Sequence, residues 1–156
     1  MTAMVLQMLD QAAELIERNP GSSAAKRRAV SGAYYAAFHA VMQLCADEIL
    51  PGSDAASAEF ERVYRQIDHG PLKQAFVSDG PLKRNSALRQ IGDDIIRLQD
   101  ARKLADYAPP RPNVVTLAKA REHVERAREI LSRLASLTAQ DRRTLALNLL
   151  FPPRKK

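Results

Sequence analysis

Arg28, Ser31, Tyr35 and His39 are spaced to share one face of a helix, and each can hydrogen-bond or carry charge. A guanidinium fork suits phosphate or carboxylate, and a histidine can take up a proton near neutral pH. They stand in KRRAVSGAYYAAFHAVMQLCADEIL, a stretch otherwise rich in alanine and poor in polar residues. Such a stripe has two readings. Either its polar tips meet a neighbouring helix at the edge of a core, or they face a ligand. A second cluster lies in LQDARKLADYAPP, where Arg102 and Asp106 are four residues apart and Tyr107 follows. If exposed, the pair is a minor ion pair at a helix end. If it faces a bundle interior, it is an oriented guanidinium fit for phosphate or a partner carboxylate. His69 in IDHGPLKQAF completes the proton-accepting candidates, while Cys45, set mid-helix between Leu44 and Ala46, reads as a buried, inert thiol.

Much chemistry is set aside by what the sequence lacks. It has no Glu-x-x-His pair for a di-iron centre, no zinc spacing of Cys or His and no phosphate-binding loop of the Walker type, so neither metal nor cofactor is expected. The single cysteine excludes an internal disulfide, and no apolar run is long enough to span a bilayer. The N-terminus lacks a basic leader and carries acids among its apolar residues, unlike a signal peptide. A cytoplasmic protein is expected. The net charge of +6 comes mostly from arginine, 17 against 7 lysines. That excess suits phosphate recognition, and equally suits the solvated surface of helices.

The elements that must position these residues read as helices throughout. Apolar residues recur with helical period from residue 2 to about 18, and Asn19-Pro20-Gly21 ends the run. Ser22 or Ser23 caps a long helix to about Leu50, where Pro51-Gly52 stops it. On it Tyr34 and Phe38, four apart, are expected to fill the core. Asp54 is expected to cap a third helix with Phe60, Val63, Tyr64 and Ile67 on one face, broken by His69-Gly70-Pro71, with a short segment continuing to about Val77. A helix from about Asn85 to Tyr107 carries Leu88, Ile91, Ile95, Leu98, Ala101 and Leu104 in its apolar pattern, and Pro109, Pro110 and Pro112 forbid its continuation. Another runs from Thr116 to about Leu137, burying Leu117, Ala120, Val124, Ala127, Leu131 and Leu134. Thr138 with Asp141 marks a short last helix. The fold expected is all-α: an antiparallel bundle of four to five helices with a short extra C-terminal helix. It occupies residues 1–150 as one domain, followed by a basic tail at 151–156.

Three segments carry a family resemblance. RRAVSGAYYAAFHA is similar to the RAYYAxFHA signature of HEPN domains, IDHGPLKQAF resembles that family's mid-chain His-Gly segment, and LQDARKLADY resembles its late LxxxRxxADY segment. The three fall in the family's order and span residues 22 to about 135. The resemblance implies a helical bundle, commonly dimeric, that accompanies a nucleotidyltransferase-like partner in toxin–antitoxin or defence systems. It also implies, for active members, a metal-independent ribonuclease built on an arginine followed after four to six residues by a histidine. Arg102 matches the arginine, but Tyr107 stands where the histidine belongs. A tyrosine of ordinary pKa, about 10, does not take a proton from a 2′-hydroxyl near neutral pH. His39 or His69 are the substitutes the chain offers. Arg62 and His69 also fit the bare spacing, on a different helix.

The expectation is therefore a non-catalytic module. It binds a nucleotide, RNA or a nucleotidyltransferase-type partner through Arg28, Ser31, Tyr35, His39, Arg102, Asp106 and Tyr107. The alternatives are an RNA endonuclease with Arg102 as anchor and His39 or His69 as base, and a structural dimerisation bundle whose polar stripe serves packing alone.

Overall fold

The computed structural model describes residues 2–154, and among them the chain is an all-α helical bundle of eight helices with no strand. The helices are α1 (Ala3–Arg18), α2 (Ser23–Ile49), α3 (Ala58–Tyr64), α4 (His69–Val77), α5 (Pro81–Arg84), α6 (Ser86–Tyr107), α7 (Leu117–Ala135) and α8 (Ala139–Leu150). Phe151 to Arg154 follow the last helix without regular structure, and the remaining two lysines of the expected basic tail, Lys155 and Lys156, lie outside the described residues.

Local hydrogen bonds explain most helix ends. Asn19 donates both its backbone N–H and its Nδ2 to the Leu15 carbonyl, closing α1. Ser22 Oγ accepts from the Ala25 N–H at 3.1 Å, so Ser22 is the cap of α2. Asn85, Thr116 and Thr138 do the same for α6, α7 and α8, accepting from Leu88, Lys119 and Asp141. Two expected boundaries move. Asp54 does not cap α3: its Oδ1 folds back on the Ala56 N–H as a tight turn, and Ser57 takes the Phe60 N–H instead. His69-Gly70-Pro71 does not break a helix but opens one. Pro71 falls in the first turn of α4, where a missing N–H costs no intrahelical bond, and α3 has already ended at Tyr64.

The chain divides into two compact units, residues Met1–Ala40 with Asp94–Ser132, and Val41–Asp93 with Arg133–Lys156. In the first, α1 buries Val5, Leu9, Ala12 and Ile16 at spacings of four, three and four, the stripe of an amphipathic helix. Ile95, Leu98 and Ala105 from α6, with Ala120, Val124, Ala127, Ile130 and Leu131 from α7, belong to the same core. Leu104 departs from the expected pattern and stands half in solvent, because Ala105 takes the inward position. Leu117 is only partly buried at the start of α7. Asp94 is paired with Arg126 at 2.7 Å, and Arg126 also reaches Glu122, four residues before it, at 2.8 Å.

The second unit packs its helices around Phe60, Ile67, Leu72, Phe76, Leu82, Leu88, Ile91 and the α8 residues Leu145 and Leu149. Asn85 Nδ2 donates to Asp141 Oδ1 at 2.8 Å, tying the start of α6 to α8. Gly92 on α6 is closely packed: a Cβ there would lie 2.3 Å from Phe76 Cδ1, so the phenyl ring occupies the space a side chain needs. Cys45 is buried, and burial, with the nearby Glu48 carboxylate, pushes its thiol up to about 12. It is inert at neutral pH, as expected.

Candidate functional site

From Ala29 to Ala40, α2 is buried on nearly every side, and the exceptions are Ser31, Gly32, Tyr35 and His39. Their spacing makes one partly open seam along an otherwise enclosed helix. The polar stripe seen in the sequence is thus the face of α2 that keeps access to solvent. On the buried side Tyr34 and Phe38 stack with ring centroids 6.0 Å apart and are almost entirely enclosed. Burial pushes the Tyr34 phenol far up, and the neighbouring Arg102 charge pulls it partly back.

Arg102 is the one buried arginine among the described residues, 7% exposed. Its guanidinium lies over two rings at once, with Cζ 5.1 Å from the Tyr34 centroid and 5.7 Å from that of Tyr35. Those rings meet edge to face, 5.4 Å apart. Nη1 faces Asp106 Oδ2 at 3.4 Å, longer than the roughly 2.7–2.9 Å of a strong charge-assisted bond. Nε is buried with no hydrogen-bond partner among the described residues. Two aromatic faces therefore replace acceptors around this cation, and a desolvated cation–π contact is worth about 2 kcal/mol. Ser31 Oγ donates to the same Asp106 oxygen, also at 3.4 Å, so Asp106 links the open seam of α2 to the end of α6.

Arg27, unremarked in the sequence, fixes that end. Its Nη1 donates to the carbonyls of Ala105 and Ala108, at 3.2 and 2.5 Å, and Nη2 to that of Pro109 at 2.8 Å. A cation on the last carbonyls of a helix satisfies orphan acceptors and opposes the negative end of the dipole. Proline at 109, 110 and 112 prevents the helix from satisfying them by continuing.

These pieces enclose an open groove of about 700 Å³ whose wall includes Arg28, Ser31, Tyr35, His39 and Asp106. Five of the seven binding residues expected from the sequence are thus together. Arg102 is not on that wall but beneath it, in contact with Tyr35. Tyr107 is 76% exposed and is absent from the wall. His69 belongs to the second unit as the first residue of α4. Arg28, adjacent in sequence to the committed Arg27, is exposed and has no hydrogen bond or ion pair among the described residues. Partial burial lowers the pKa of His39, so its ring is neutral at physiological pH.

Met8 and Gly32 also line the groove and were not foreseen. Gly32 sat in the quoted signature as one small residue among several; nothing local distinguishes it. His123, on α7, is half-buried with Nδ1 lacking a partner among the described residues, and burial and Arg126 both lower its pKa. The described residues hold no group of three His, Cys, Asp or Glu able to hold a metal ion, and no helix long and apolar enough to cross a membrane. Comparison of the chain with protein-family models, curated proteins and solved structures gives no match.

Proposed function

We propose that the chain is a HEPN-like helical module that binds a nucleotide or a single-stranded segment of RNA in the groove beside α2, without cutting it. The observation that carries this reading is Arg28, an uncommitted guanidinium on the wall of a groove that also presents Tyr35, His39, Ser31 and Asp106. Arginine supplies a phosphate contact, ring faces stack on bases, and hydroxyl and carboxylate groups read ribose hydroxyls and base edges. Arg27, one residue away, is spent on helix carbonyls, which leaves Arg28 as the cation presented to a ligand.

Binding without cleavage is favoured by the arginine that matches the ribonuclease pattern. Arg102 is held under Tyr35 and against Asp106, off the groove wall, where it orients the site and does not meet a scissile phosphate. In this reading a nucleotidyltransferase-like protein in a toxin–antitoxin or defence pair is the expected partner, and a homodimer the expected assembly.

Fluorescence anisotropy with a short labelled single-stranded RNA tests the proposal. The chain should bind at low salt, and Arg28→Ala should weaken binding about tenfold, roughly 1.4 kcal/mol, and reduce the salt slope by about one. The RNA should remain intact over hours. Absence of binding, or binding indifferent to Arg28→Ala, overturns the reading. Metal-independent loss of RNA, abolished by Arg102→Ala and by His39→Ala, replaces it with the endonuclease.

A further inference from the structure

The groove does not stop at Arg28. A second hollow of about 470 Å³ runs between α1 and α2, and Met8, Arg28 and Gly32 line both. The two spaces adjoin at these three residues and differ in chemistry. The first presents Ser31, His39 and Asp106. The second has Met8, Ala12 and Leu15 as an apolar wall, with the Gln11 amide among its polar groups. Besides Arg28 its charged groups are Arg18 and Glu14, which are paired with each other.

Glycine in the interior of a helix weakens it, so its presence in α2 asks for a reason. Close packing is not that reason. A Cβ built on Gly32 meets only the Ala12 Cβ, at 3.8 Å, an ordinary van der Waals distance. An alanine would fit. What the missing side chain leaves is free space where the two hollows join.

Resting on the RNA-binding reading, we infer that the site takes an oligonucleotide in preference to a mononucleotide. A phosphodiester sits at Arg28, one nucleoside lies in each hollow, and Gly32 is the specificity-determining residue that keeps the passage between them open. The apolar wall of Met8, Ala12 and Leu15 suits the face of a base, methionine being adaptable in shape. The uncommitted guanidinium at the junction suits the single charge that links two nucleosides.

Isothermal titration with AMP and with the dinucleoside monophosphate ApA tests this. ApA carries less charge than AMP, so a tighter complex comes from its second nucleoside. The wild-type chain should bind ApA at least about tenfold more tightly than AMP. Gly32→Leu should bring the ratio of the two affinities to about one, and Gly32→Ala should give an intermediate ratio. Gly32→Ala should also raise the melting temperature, which separates a blocked passage from a damaged fold. Equal wild-type affinities, or an ApA preference that survives Gly32→Leu, overturn the inference and leave the binding proposal standing. Failure of the wild-type chain to bind either compound also overturns the inference, and the RNA anisotropy experiment separately decides the binding proposal.

Discussion

Gly92 on α6 and Gly32 on α2 are both glycines in the interior of long helices, and their surroundings are opposite. Around Gly92 the space of a side chain is filled by Phe76, with Cδ1, Cγ and Cβ at 2.3, 2.7 and 3.0 Å from where a Cβ would be. Around Gly32 only the Ala12 Cβ lies within reach, at 3.8 Å, and two hollows open beside it. One unit of the chain uses a glycine to let an aromatic ring pack against helix backbone. The other uses a glycine in a place where packing makes no such demand. The first glycine is accounted for by packing, and the second is not.

The comparison can be broken most strongly at Phe76. Phe76→Ala should cost about 3–5 kcal/mol in chemical denaturation, as for other core aromatics. Gly92→Ala alone should cost about 1–3 kcal/mol by overpacking, and in the Phe76→Ala background it should cost clearly less, because only the position-76 Cβ, 3.0 Å away, remains close. Additive costs would show that the ring and the glycine do not compete for one space.

Next in size is Arg102→Ala, expected to cost about 2–3 kcal/mol by removing a desolvated cation from two tyrosine faces. A cost below about 0.5 kcal/mol, the size of an ordinary surface change, would show that the contact with Tyr34 and Tyr35 carries no net stability.

Gly32→Ala should move stability the other way, adding about 0.5–1 kcal/mol through helix propensity. A loss of stability on that change would erase the contrast with Gly92.

The smallest effect concerns pH. Burial lowers the folded-state pKa of His39 below its ordinary 6.5, so the unfolded chain binds the proton more readily. Stability should therefore be complete above the unfolded pKa and fall as pH drops below it, with His123 acting in the same sense. His39→Asn should flatten part of the slope between neutral and mildly acidic pH, measured by denaturation across that window. An unchanged slope would mean that His39 is as free to protonate in the folded chain as in the unfolded one.

Helix ends were legible where a single side chain decides them. Ser22, Thr116 and Thr138 cap as their hydroxyls and positions suggest. Asp54 misled because a carboxylate two residues before a backbone N–H serves a turn as readily as a helix, and Ser57 stood closer to the start of α3. His69-Gly70-Pro71 misled because proline is tolerated in a first turn and forbidden only in an interior. The division of α2 into a packing face with Tyr34 and Phe38 and a polar seam with Ser31, Tyr35 and His39 was legible in full, since it needs only the helical repeat.

The sequence by itself determined an all-α chain and the face of α2 that carries Ser31, Tyr35 and His39, because periodicity and capping act within about four residues. Only the tertiary structure decided which arginine is left exposed on the groove wall with no bond. Arg27 is committed to carbonyls 78 to 82 residues away and Arg28 is not, though nothing in their neighbouring positions distinguishes them. It likewise decided that Arg102 rests on tyrosine rings from another helix, that Phe76 fills the space at Gly92, and that Gly32 remains open. Side chains brought together across the chain settle such matters, and a local pattern carries no record of what will be packed against it.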